Sequence, residues 1–153
     1  MEPLTYLFEP RSVAVIGASD DPGKYGHRVL ESILDASYQG PIYRVNPNVP
    51  EVKGRATYPT VREIPELVDL AFVVIPARAV LGAVKDCIAA DVKAIVIISA
   101  GFGEIGEEGR KAEAEIALLC REAGIPTVGP NCMGIVCFKS RIIGTMTMDR
   151  LKG

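Results

Sequence analysis

The sequence predicts a three-layer αβα domain, with helices on both faces of a parallel sheet, from three observations. Short apolar runs alternate with amphipathic stretches as far as Asn131, after which the pattern weakens, and this alternation is that of repeated strand–helix units. The first of these runs, Ser12 to Gly17, is apolar on both faces, as a central strand covered by helices must be. The 153 residues match the size of one hydrophobic core. Together these give a single α/β domain with a doubly wound, Rossmann-like parallel sheet, spanning 1–153 with its core at about 7–146. By analogy with that topology the expected strand order is 3-2-1-4-5.

The first strand is read at Ser12 to Gly17, and a helix follows over Tyr25 to Asp35 with Val29, Leu30, Ile33 and Leu34 on one face. Gly40-Pro41 breaks the chain before a second strand, Ile42 to Val45, which Asn46-Pro47 ends. Thr60 and Glu63 have capping-box spacing and predict a short helix that Pro65 limits. The third strand covers Leu70 to Ile75 and stops at Pro76. A helix over Arg78 to Ala90 turns Val80, Leu81, Val84 and Ile88 inward. The fourth strand, Ala94 to Ile98, is strongly β-branched. Ala112, Ile116, Leu119, Cys120 and Ala123 recur at helical spacing, with Gly124 as C-cap and Thr127 to Gly129 as a short fifth strand. Ile135 to Phe138 and Arg141 to Gly144 read as a final strand and an edge extension.

Composition narrows the function. Hydrophobic residues make up 48% and charged residues 24%, ordinary for a globular protein. A net charge of -2 argues against a nucleic-acid partner. Apolar runs are too short to span a bilayer, and the N-terminus lacks a signal-peptide pattern, so no membrane role and a cytoplasmic location are expected. Cys87, Cys120, Cys132 and Cys137 form no CxxC pair, which fits reduced thiols and predicts no metal site.

In doubly wound sheets the ligand lies beyond the carboxyl ends of the strands. The residues there are Gly17-Ala18-Ser19, Asn46-Pro47, Pro76-Ala77-Arg78, Ser99-Ala100-Gly101-Phe102 and Pro130-Asn131-Cys132. None is an acid or a histidine, so the rim suits backbone hydrogen bonding rather than proton transfer, and no catalytic residue is assigned. The first loop runs Gly-rich into a helix, the arrangement of an anion site, with Ser19 and Lys24 as added donors. A plain strand-to-helix turn has the same composition. GxGxxG is absent, and Lys24-Tyr25-Gly26 lacks the hydroxyl of a Walker A loop. Arg44, Asn46 and Pro47 stand where an NAD site carries an acidic residue, which disfavours NAD and leaves open NADP or a nucleotide with an extra ribose phosphate. Coenzyme A is such a nucleotide.

These segments resemble the CoA-binding domain of ADP-forming acyl-CoA synthetases, related to the succinyl-CoA synthetase α subunit. The resemblance is carried by Val15 to Ser19 with Pro22 to Gly26, Val45-Asn46-Pro47, Val74 to Ala77, Ile98 to Glu104 and Gly129 to Gly134. It implies that Gly17, Ala18 and Ser19 hold the CoA diphosphate near Lys24. By the same resemblance Asn46 and Pro47 flank the adenosine, and Ile75 and Pro76 pack on the ligand. Ser99, Ala100 and Gly101 then line the pantetheine path, with Pro130, Asn131 and Cys132 nearer the thiol end. The implied ligand is CoA or acyl-CoA. In the family, acyl-CoA, ADP and phosphate become acid, CoA and ATP through a phosphohistidine in a second domain and an ATP-grasp domain. The resemblance puts those domains beyond Leu151-Lys152-Gly153, so this chain alone is expected to bind CoA without completing the reaction.

Blander roles compete for several residues. His27, the sole histidine, does not match the phosphorylated position; it can hydrogen-bond a CoA phosphate, against the blander reading of a helix-surface or helix-packing residue. Cys132 has no histidine to activate it and reads as structural. Glu104, Glu107 and Glu108 favour the N-terminus of the following helix. Arg28 and Arg78 can reach phosphates or sit in solvent, and Arg44 can face either way. Two other parents stay open within CoA binding: the regulatory region of a protein acetyltransferase, and a freestanding CoA binder. An NADP-binding oxidoreductase domain is the rival from another class.

Overall fold

A computed structural model describes residues 2–147; Leu151-Lys152-Gly153, where the resemblance starts the next domain, lies outside the described residues. Strands β1 (Val13–Ile16), β5 (Leu70–Val73) and β6 (Ala94–Ile97) are buried at every position, as their two-sided apolar sequences require. The period-two geometry of a strand divides them between two cores. Ala14, Ile16, Ala71, Val73, Ile95 and Ile97 pack on one face, against α3 (Ala77–Ala89) and α4 (Glu107–Glu122). Val13, Val15, Leu70, Phe72 and Val96 pack on the other, against α2 (Tyr25–Asp35) and the short α1 (Thr5–Phe8). The three layers follow from this division.

The remaining sheet strands are β2 (Ile42–Val45), β3 (Glu51–Val52), β4 (Arg55–Tyr58) and β7 (Thr127–Val128). The order across the sheet is β3-β4-β2-β1-β5-β6-β7, parallel throughout except between β3 and β4. This corrects the expected place of the strand after residue 70. It pairs directly with β1, Val13 opposite Leu70, instead of lying outside β2. The outer place belongs to β4, which the sequence reading passes over. Counting the parallel strands with β4 included restores the order 3-2-1-4-5-6 of a doubly wound fold. The β4 strand is silent in sequence because it lies near the sheet edge, with Arg55 and Ala56 exposed and no apolar run. Its entry is a two-residue hairpin turn, Lys53-Gly54, with φ of 51° and 68°, the doubly positive geometry that matches strand twist.

Two further expectations change. The segment after Thr60 is a 3₁₀ turn, Val61–Glu63, and the Thr60 side chain makes no cap hydrogen bond. The segments at 134–145 form an antiparallel hairpin of their own, β8 (Gly134–Cys137) with β9 (Ile142–Thr145), and extend no edge of the main sheet. The hairpin lies over the sheet face beside α2, where Ile135 and Ile142 are buried. Gly144 makes the close approach possible, since a Cβ there would come within 2.1 Å of the Phe72 ring. Ser32 ties the hairpin to α2 by accepting the Thr145 N–H at 3.3 Å.

At the carboxyl end of α4 the sequence signal holds. Gly124, at φ 68°, closes α4. Its N–H donates to Arg121 O at 3.1 Å, and the Ile125 N–H donates to Cys120 O at 2.9 Å. Within α3 and α4, Val80, Val84, Cys87, Ile116 and Cys120 are buried.

Candidate functional site

The carboxyl end of β1 turns sharply at Gly17, whose φ of 98° and contact with Val74 exclude a side chain. Nine residues later Gly26 brings the first turn of α2 against that bend. An alanine Cβ at position 26 would stand 1.8 Å from Gly17 O. Lys24 precedes α2 in extended conformation, and no side chain caps the helix. Among the described residues the backbone N–H groups of Ala18, Ser19, Tyr25 and Gly26 donate to no protein acceptor. Unpaired amides at the start of an 11-residue helix, beside a glycine bend, are the elements of an anion site.

The side chains of this loop organise it from within. Ser19 is 8% exposed and accepts the Asp21 N–H at 3.1 Å, which leaves its hydroxyl proton to donate elsewhere. Asp21 accepts from Gly23 N–H at 2.9 Å, and Asp20 accepts from Lys53 N–H at 2.9 Å. Both acidic residues are thus bound to main-chain donors. His27 is a packed helix residue, 7% exposed, with Nδ1 3.1 Å from Ser19 O and Nε2 3.5 Å from Glu31. Glu31 in turn pairs with Lys53 at 3.5 Å. The sequence reading missed Lys53 as a member of this cluster; the doubly positive turn at Lys53-Gly54 is the signal that places it there. Arg28 lies over the Tyr25 ring, 5.6 Å from its centroid.

The other strand ends are stitched to the first loop in sequence. Asn46 donates from Nδ2 to Ala18 O at 2.8 Å and accepts the Asn48 N–H at 2.8 Å. Gly17 abuts Val74 and Ile75. Ser99 Oγ accepts the Ile75 N–H at 3.0 Å, and Ser99 O accepts the Asn131 N–H at 2.9 Å. Gly17, Ala18, Ser19, Asn46, Ile75, Ser99 and Asn131 therefore form one connected arc. Pro47 and Ala100 are exposed beside it, Pro76 precedes α3, and Pro130 follows a cis peptide bond. The Gly101 amide is not available to a ligand: it and the Phe102 N–H donate to the Glu104 carboxylate. Those bonds, that from Gly101 first, hold the Glu104 carboxyl below its usual range. Glu104 serves this loop rather than the start of α4, a role that sequence spacing did not reveal.

The thiols show no activation at this rim. Cys132 donates to Ile97 O at 3.2 Å, and burial pushes its thiol up. A cavity of ≈ 640 Å³ adjoins this end of the arc, lined by Gly103, Glu104, Arg110, Glu113, Pro130 and Asn131 among others. Among the described residues no group of three or more His, Cys, Asp or Glu is arranged to hold a metal, and no helix is long and apolar enough to cross a membrane.

A known family shares this arrangement of sequence, since the sequence pattern of the family described as "CoA binding domain" matches residues 11–137. The chain belongs to the CoA-binding domain family. The domain is 42% identical over 151 residues to the α subunit of ADP-forming acetate–CoA ligase II of Pyrococcus furiosus, covering 98% of this chain and 33% of that one. It is 45% identical over 130 residues to ADP-forming acetate–CoA ligase I of Archaeoglobus fulgidus, covering 85% of this chain and 19% of that protein. Its fold superposes with a TM-score of 0.89 on a Candidatus Korarchaeum cryptofilum dinucleotide-forming acetyl-coenzyme A synthetase 1 solved with phosphate and ADP. That pair shares 36% identity, over 95% of this chain and 31% of the other. This CoA-binding domain thus spans a third or less of the proteins it matches here.

Proposed function

We propose that this chain holds CoA or acyl-CoA as the CoA-binding domain of an ADP-forming acid–CoA ligase. The observation that carries the reading is the set of unpaired amides at Ala18, Ser19, Tyr25 and Gly26, gathered at the end of the central strand. In this reading they bind the CoA diphosphate, helped by the Ser19 hydroxyl and the Lys24 charge. Asn46 and Pro47 flank the adenosine, with Ile75 and Pro76 against the ligand. Ser99, Ala100 and Gly101 line the pantetheine path by shape, since Glu104 has taken the Gly101 amide. Pro130, Asn131 and Cys132 border the thiol end. CoA supplies the thiol chemistry, and this domain's residues bind and orient it.

The ligase assignment rests on the two curated relatives, both ADP-forming acetate–CoA ligases. The phosphohistidine and ATP-grasp steps belong, in this reading, to partner domains or subunits of the longer protein. An NAD site is disfavoured because Asn46 uses both ends of its amide internally, and β2 ends without an acidic residue for a ribose. Calorimetric titration of the chain with CoA, NADPH and NADH tests the proposal. Saturable CoA binding without NADPH binding is the expected result; NADPH binding without CoA binding overturns it.

A further inference from the structure

The groove at the amino ends of β2 and β4 lies at the opposite end of these strands from the loops just described. It has a volume of ≈ 480 Å³, and its lining includes Leu34, Pro41, Ile42, Tyr43, Arg44 and Arg55. Arg44 stands on β2 opposite Thr57 of β4, so Arg55, two residues earlier, lies beside Ile42 on the same face. The Arg44 side chain folds back along its strand and donates from Nη1 to Ile42 O, towards Arg55 and away from the strand-end loops. Its Nε is buried and has no hydrogen-bond partner. Among the described residues no carboxylate forms an ion pair with either guanidinium.

Two like charges lining one groove, with a buried donor left unmatched, require compensation that the chain does not supply. Burial, and then the charge of Arg55, pull the Arg44 guanidinium down from its ordinary value. An anion carrying two charges and several acceptor oxygens answers both needs. A lone carboxylate answers only half.

We propose that Arg44 and Arg55 form a second anion site, specific for a dianionic phosphate group and separate from the diphosphate site at the end of β1. The phosphate is either inorganic phosphate or the phosphomonoester of a small metabolite, and the guanidinium fork suits both. The site does not depend on the CoA reading, because none of its residues belongs to the arc of strand-end loops.

The test is nitrogen-15 NMR of the chain saturated with CoA, or without CoA should that ligand not bind, titrated separately with inorganic phosphate, 5′-AMP and acetate. Phosphate is expected to shift the Arg44 Nε–H and the amides of 42–44 and 55–58 saturably. 5′-AMP producing the same shifts at lower concentration identifies a phosphomonoester as the preferred source, and the reverse identifies free phosphate. Arg55→Met, a change at an exposed residue, should weaken this binding at least tenfold while leaving CoA affinity unchanged. Arg44→Met should do the same if it folds. The proposal fails if phosphate and 5′-AMP produce no saturable shift here, if Arg55→Met leaves the phosphate response intact, or if acetate matches phosphate.

Discussion

Gly26 and Gly17 touch main chain to main chain: a single added methyl at position 26 would lie 1.8 Å from Gly17 O. That contact sets the first turn of α2 against the bend after β1, and with it the four unpaired amides. It performs the close helix–strand packing for which dinucleotide folds use the last glycine of GxGxxG, here with a spacing of nine residues. Gly26→Ala must push the helix start away. CoA affinity should fall by about tenfold or more, a loss of about 1.4 kcal/mol of binding energy. Calorimetry beside a thermal melt checks this, and a folded variant with unchanged affinity would separate the amides from CoA binding.

Charge at the same loop gives an independent test. Ser19→Glu places an anion among donors meant for phosphate and should abolish measurable CoA binding with the fold retained. Lys24→Ala should weaken binding at low ionic strength and approach wild type near 1 M salt, because its contribution is exposed and screened over about 3 Å there. A salt-independent defect would assign Lys24 a structural role.

The β8–β9 hairpin should be the part most sensitive to side-chain volume. Gly144→Val drives a branched side chain into the fully buried Phe72 ring and should destabilise by about 1–3 kcal/mol or more. Phe72→Ala leaves a cavity on the same face and should cost about 3–5 kcal/mol. Urea denaturation measures both. In the double variant the two losses should not add, since the residues share one contact.

Acid stability should depend on Asp69. Burial raises its carboxyl pKa, but hydrogen bonds from the Arg11 side chain and N–H, at 2.9 Å each, outweigh that and hold it below the usual value. The folded value is therefore lower than the unfolded one. The resulting stabilisation is present above about pH 4 and is lost as pH falls through the folded value. Asp69→Asn should flatten the stability–pH curve in that acid range. A wild-type and variant difference that stays constant from pH 6 down to pH 3 would contradict the assignment.

Thiol reactivity should rank by environment. Hydrogen bonding with Ser140, through its side chain first and then its backbone, pulls the Cys137 thiol down, whereas burial pushes Cys87 up to about 12. Maleimide labelling followed by peptide mass spectrometry should modify Cys137 first and leave Cys87 intact in the folded protein. Prior labelling of Cys132 would argue against the raised thiol its burial implies.

Much of this protein was legible from its residues alone. The two-sided apolar runs at 13–16, 70–73 and 94–97 determined the central strands, because a strand buried on both faces has no room for polar side chains. Punctuation by Gly17, Asn46, Pro76 and Pro130 marked where the chain leaves the sheet, and so which residues meet beyond it. Tertiary structure decided what local pattern does not encode. The β4 strand owes its existence to pairing with β2 rather than to an apolar run, and the hairpin at 134–145 found its place through Gly144 against Phe72. The Asn46 and Cys132 side chains reach Ala18 O and Ile97 O, carbonyls whose positions depend on how the strands are ordered in the sheet. A main-chain carbonyl carries no mark in sequence of which distant side chain will reach it, so those bonds appear only once the chain is folded.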